Sequence, residues 1–141
     1  MKNVTEIAFL SQPKSVVFDF LANVENLPKW ATEYCESGRW DGDTFKVMTS
    51  QGEMITRFET DARTGVIDMW ARSPGEAESG VFPLRVLELA PEQTAVIFTF
   101  FQPQGMPDQL FARQHASLRI EMDELPAIMR GHLEDSLATA S

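Results

Sequence analysis

The sequence predicts an α+β fold in which an antiparallel sheet curves around one long C-terminal helix. Three observations carry this. Phe111, His115, Leu118, Met122, Leu125, Met129 and His132 recur at alternating spacings of four and three, which marks one face of a long helix. Residues 34–102 divide into short segments of strand character, separated by Gly, Asp and Pro turn signals. Between a first strand and that run, residues 13–30 switch to helical spacing twice. Consecutive strands joined by short turns make an antiparallel meander. Its apolar face needs a cover, which the long stripe can supply.

Residues 4–10 form the first strand. Ser11, Gln12 and Pro13 then open a helix, because proline's fixed φ suits a first helical turn and its missing N–H is not needed there. Val17, Phe20, Leu21 and Val24 give that helix one apolar face. Asn23 can cap a second short helix, with Leu27 and Trp30 three residues apart and Pro28 tolerated in its first turns. A strand over 34–40 ends at Asp41-Gly42-Asp43, a hairpin signal. Further strands follow over 44–50, 53–62 and 66–72, with turns at Gln51-Gly52 and Arg63-Thr64-Gly65. Met54, Thr56, Phe58 and Thr60 share one face of their strand, and Ile55, Arg57 and Glu59 the other. Residues 73–80 form a loop broken by Pro74-Gly75, and 80–89 and 94–102 are the last two strands. Pro107 and Asp108 open the long helix, the acid placed where the helix dipole favours it. Leu110, Ile128 and Leu133 widen the stripe, and Pro126 should kink the helix or split it in two. Residues 1–135 make one domain, and 136–141, small and weakly patterned, a flexible tail.

The totals exclude several functions. Lys and Arg number 12 against 21 Asp and Glu, a net charge of -9. Phosphate-binding surfaces show an excess of Lys and Arg, so neither nucleic acid nor an anionic membrane surface is an expected partner. Cys35 is the one cysteine, which excludes an internal disulfide and argues against a thiolate metal site. No apolar run approaches the roughly 20 residues needed to span a bilayer, so no membrane insertion is expected. The opening residues do not read as a signal peptide, which makes a reducing cytoplasm the expected location. No G-x-S-x-G, H-E-x-x-H, P-loop or dinucleotide fingerprint occurs. The two histidines, His115 and His132, lie 17 residues apart on one helix, too far to share a metal. Neither a metal nor a cofactor is expected.

Residues 15–30, with Val17-Phe18-Asp19-Phe20-Leu21 and a short helix ending in Trp30, resemble the opening of SRPBCC (START/Bet v 1-like) proteins. The element order over roughly residues 4–133 resembles theirs as well. The middle of the chain resembles the polyketide cyclase/dehydrase-like group, on Gly65-Val66-Ile67-Asp68, Arg85-Val86, Phe98-Thr99-Phe100-Phe101 and Gly105-Met106. The resemblance implies a helix-grip fold with a hydrophobic cavity between sheet and C-terminal helix. It implies no catalytic set, since function follows from the site rather than the fold. The expected function is binding of a small hydrophobic ligand, lipid- or polyketide-like, in an internal cavity by a monomer or homodimer. The alternatives are a cyclase/dehydratase-type enzyme and a protein-binding regulator.

Two polar residues are candidates for that cavity and, in the enzyme alternative, for catalysis, His115 as general acid–base and Arg85 as the anion-stabilising group. His115 lies on the apolar stripe, where a neutral imidazole could act as acid, base or hydrogen-bond donor. Arg85 shares its strand face with Val81, Pro83, Leu87 and Leu89, so it either lines the cavity or reaches out from the convex side. An interior Arg85 needs an acidic partner, Asp68 or Glu53. Trp30, Phe58, Phe98, Phe100, Phe111 and Met122 are the expected apolar lining, because they fall on faces opposed in such a fold.

Overall fold

The computed structural model describes residues 1–78 and 80–140. Strand β1 (Asn3–Leu10) leads into helix α1 (Lys14–Ala22), a 3-10 turn (Val24–Asn26) and the single turn α2 (Leu27–Trp30). Six strands follow: β2 (Cys35–Asp41), β3 (Thr44–Thr49), β4 (Gly52–Asp61), β5 (Val66–Arg72), β6 (Val81–Ala90) and β7 (Gln93–Phe101). Helix α3 (Asp108–Ala140) ends the described chain. Every strand lies within one residue of its expected position at each end. Part of the expected 73–80 loop falls on Ser79, outside the described residues.

The seven strands form one antiparallel sheet in the order β1-β7-β6-β5-β4-β3-β2. Strands β2 to β7 pair as five sequential hairpins, and β1 joins by pairing with β7. Register sorts the side chains onto two faces. Glu6 sits opposite Phe98, Phe98 opposite Leu84, Leu84 opposite Ile67 and Ile67 opposite Thr60, a row on the concave face. One residue along, Ile7, Ile97, Arg85 and Val66 form a row on the convex face.

The core lies on the concave side. Leu84, Val86, Val96 and Ile67 from the sheet meet Leu118, Met122, Leu125 and Met129 from α3 and Val17 and Leu21 from α1. Phe111 stacks on Phe100, with ring centroids 5.0 Å apart, and Phe100 stacks on Phe82. Two positions show why the sequence needs glycine. At Gly65 φ is +75°, and a Cβ would run into the carbonyl of Val86, whose N–H donates to the Gly65 carbonyl. At Gly38 a Cβ would sit 2.5 Å from the ring of Phe45.

Helix α3 is continuous at two places where the sequence suggested a change. Pro126 does not split α3, which is one helix through that position. Proline removes one helical hydrogen bond, but Met122, Leu125 and Met129 on either side are fully packed and hold the helix together. Residues 136–140 of the expected tail continue that helix, and Ser141 lies outside the described residues.

Candidate functional site

The expected site residues do not converge. Arg85 is on the convex face, opposite Val66 and Ile97, while its neighbours Leu84 and Val86 point into the core. Its guanidinium donates to Asp68 Oδ1 at 2.8 Å and to the Leu84 carbonyl. Arg85 is therefore half of an outer-face ion pair and not a cavity anchor. The misleading signal was its apolar face: Leu87 and Leu89 lie on the outside and are themselves exposed. Its partner is Asp68, one of the two acids expected for an interior Arg85, and Glu53 pairs instead with Arg39. His115 is on the concave side but at the sheet edge, with Nε2 2.7 Å from Glu6 Oε1 on β1. His115 and Arg85 thus stand on opposite faces and cannot act on one substrate. Trp30, Phe98, Phe100, Phe111 and Met122 are buried in the packed core. Only Phe58 among the expected lining is half-buried beside an opening.

That opening is a cleft of about 810 Å³, within the roughly 300–1,000 Å³ of small-molecule sites. Ala22, Asn23 and Val24 form one wall, and the β2–β3 hairpin with Trp40 and Phe45 forms another. Thr56, Phe58 and Thr60 contribute from the concave face of β4. The wall from α1 is fixed locally. Asn23 Oδ1 accepts the Glu25 N–H, and the buried Asn26 amide donates to the Phe20 carbonyl at 2.9 Å. Trp40 Nε1 donates to Glu25 at 2.9 Å, tying the hairpin to that wall. A second groove of about 800 Å³ runs along the end of α3, between Phe20, Lys29, Ile128 and His132.

Thr56 links the first cleft to a buried polar cluster that the sequence reading missed. It is 5% exposed, and its hydroxyl oxygen has no hydrogen-bond partner among the described residues. The Tyr34 phenol is near it. Burial pushes that phenol up to about 12, the charges of Cys35 and Glu121 act in the same direction, and the Thr56 hydroxyl pulls against them. Even so, the two hydroxyls fall short of hydrogen-bond geometry, so Thr56 Oγ1 stays unpaired. Burial also pushes the Cys35 thiol up to about 12, aided by Glu121. Glu121, on α3, is 6% exposed. Its Oε2 accepts the backbone N–H groups of Glu33 and Tyr34, each at 3.1 Å. Burial dominates and raises the carboxyl to about 7, against the pull of those two N–H groups. Trp30 Nε1 is another buried donor without a partner. A signal for Glu121 did exist: it follows Leu118 by three residues and precedes Leu125 by four, so it sits beside the apolar stripe.

No protein-family model matches the chain, and no curated protein matches it. Solved structures do. The Zhui aromatase/cyclase from a Streptomyces species aligns with a TM-score of 0.67 at 16% identity, over 96% of this chain and 95% of its own. A START superfamily protein from Mycobacterium smegmatis aligns with a TM-score of 0.56 at 12% identity, over 87% and 98%. This chain has the START/Bet v 1-like helix-grip fold. The di-domain ARO/CYC BexL contains the same helix-grip architecture, with a TM-score of 0.73 at 14% identity over 92% of this chain and 47% of that one. At these identities the likeness is one of fold.

In helix-grip terms, the α3 end of the grip over β1 and β7 is filled, and the opening lies toward β4 and the β2–β3 hairpin. Among the described residues, no three His, Cys, Asp or Glu side chains come together as a metal site. No described helix is long and apolar enough to cross a membrane. The groups of the buried polar cluster can give or take hydrogen bonds, and one of them, Glu121, can exchange a proton near neutral pH.

Proposed function

We propose that this helix-grip protein binds a small, mainly apolar molecule in the cleft between α1, the β2–β3 hairpin and β4. Thr56 carries the reading. It is at once a wall of the cleft and a buried hydroxyl without a partner. Leaving such a group unpaired costs about 1–3 kcal/mol, which a ligand oxygen would recover. Phe58 and Phe45 supply apolar contact beside it. Lipid-like and polyketide-like molecules both meet that description. Gently purified protein, denatured for mass spectrometry, should release a bound apolar compound. Thr60→Trp, which fills the cleft from an exposed position, should abolish that release while leaving the circular dichroism unchanged. Equal release from both proteins would count against this cleft.

A second reading is an enzyme of the cyclase/dehydratase type. Glu121 favours it, because a carboxyl that titrates near the working pH is suited to general acid–base chemistry. In this reading Glu121 replaces the expected Arg85 and His115 pair. Turnover of a ketone substrate that survives Glu121→Gln would exclude it.

A further inference from the structure

We infer that this protein forms a symmetric dimer by pairing the free edge of β1 with the same edge of a second copy. The surface is separate from the cleft, which no β1 residue lines. Among the described residues β1 pairs on one side only, with β7. Gln102 N–H donates to the Lys2 carbonyl at 2.8 Å. Backbone groups alternate along an antiparallel strand, so Val4, Glu6, Ala8 and Leu10 also turn theirs to β7. Asn3, Thr5, Ile7 and Phe9 turn theirs to the open edge. Their side chains lie on the convex face, where Ile7 is 49% and Phe9 68% exposed. The other edge of the sheet is protected against pairing. Strand β2 carries a bulge between Cys35 and Ser37 and three charged side chains, Glu36, Arg39 and Asp41. Natural sheets blunt their edges with such devices. Strand β1 has an unbroken register, no proline and one charge, Glu6. That charge is on the concave face, where His115 and Arg119 meet it.

A second copy fits this edge because the edge complements itself. With a two-fold axis beside Ile7, Ile7 faces the partner's Ile7 and Thr5 faces the partner's Phe9. The edge N–H and C=O groups of all three residues then find mates, and the strands overlap from Val4 to Leu10. Glu6 falls opposite the partner's Ala8. An axis at Glu6 would instead set two carboxylates face to face, which is destabilising. An axis at Ala8 would shorten the overlap to residues 6–10. Arg119, two-thirds exposed and 3.8 Å from Glu6, offsets the edge's one carboxylate. The chain's net charge of -9 is therefore not concentrated where the copies meet. A partner chosen for positive charge would find no acidic patch there. The convex faces curve away from each other, so edge pairing covers Ile7 and Phe9 where face packing would not.

Sedimentation equilibrium at about 100 µM, well above the micromolar limit of specific interfaces, should give twice the chain mass. Ile7→Lys sets two like charges face to face at the axis. Thr5→Pro removes an edge N–H that β7 does not use. Each should weaken the dimer about tenfold or more, with the circular dichroism unchanged. Ile7→Cys should cross-link to its own copy under mild oxidation, since paired Cα atoms about 5.5 Å apart suit a disulfide. Phe9→Cys should not, because the two copies of that position lie roughly 13 Å apart along the strands. Cys35 is buried and does not compete. A monomeric wild type overturns the inference, whether its edge is bare or capped by a co-purified peptide. So does a dimer that survives Ile7→Lys, or one in which Phe9→Cys cross-links as readily as Ile7→Cys. Should Thr5→Pro fail to fold, Ile7→Lys, at an exposed position, still decides.

Discussion

The carboxylate of Glu121 accepts the backbone N–H of Tyr34 at 3.1 Å, fastening the middle of α3 to the turn that feeds β2. The same oxygen takes the N–H of Glu33, so one buried side chain satisfies two donors of a turn 88 residues earlier.

That clamp makes stability depend on pH in a definite direction. The Glu121 carboxyl titrates near about 7 when folded, raised from 4.5. Between those values the folded chain holds the extra proton, so stability falls as pH rises through the window and levels off above it. The gross effect is at most roughly 3 kcal/mol. Glu121→Gln keeps an acceptor for the two N–H groups and removes the titration. Its urea-unfolding free energy should be flat across the window and exceed that of the wild type near about pH 8. A wild type already flat across the window would contradict the assignment.

Leu118→Ala tests how tightly α3 grips the sheet. Leu118 is buried in the main core cluster with Met122 and Leu125. Deleting three buried carbons from such a site costs about 2–5 kcal/mol, from lost burial and from the cavity left behind. A loss below about 0.5 kcal/mol, the range of surface changes, would show that the stripe is not packed.

Gly65→Ala should be as damaging as a core deletion, for a different reason. The new Cβ would collide with the Val86 carbonyl, and φ of +75° strains any L side chain. We expect a loss of about 2–4 kcal/mol in denaturant unfolding. Gly42→Ala, also at positive φ but with nothing within 4 Å, should cost less, since strain acts there without a clash.

Arg85→Met should change little. The Arg85–Asp68 pair is partly exposed on the convex face, and such pairs contribute about 0–1 kcal/mol. Ligand affinity should stay the same, since Arg85 does not line the cleft. A tenfold loss of affinity would return Arg85 to the site.

Why the strands were legible and the site was not comes down to periodicity. Strand β4 alternates cleanly, so its inner face of Met54, Thr56 and Phe58 could be read directly from spacing. Strand β6 is apolar at both alternations, with Phe82, Leu84 and Val86 on one side and Val81, Pro83 and Leu87 on the other. Period two then says nothing about which side is inside. Only the pairing of Leu84 with Phe98 decides it, and pairing is a tertiary fact. Thr56 was placed on the correct face but offered no reason to be singled out. Its distinction, an unmatched hydroxyl near Tyr34, depends on a neighbour 22 residues away in sequence that packs from another element. Glu121 sat legibly beside the helix stripe, yet the turn it clamps could not be inferred from spacing.

The pairing of the first strand with the last has a kinetic consequence. Strands β2 to β7 can zip together from adjacent hairpins, each closing a short loop. Strand β1 cannot, since Thr5 meets Thr99, 94 positions further along the chain. Loop-closure entropy must be met before that contact gives any return, which slows folding. On a ribosome, β1 would emerge before β7 and wait while the five strands between them are made. Until then its inner residues Ala8 and Leu10, buried once folded, and the backbone edge that pairs with β7 stay open to other chains. The strand made before the rest of the sheet is thus among the last to find its place.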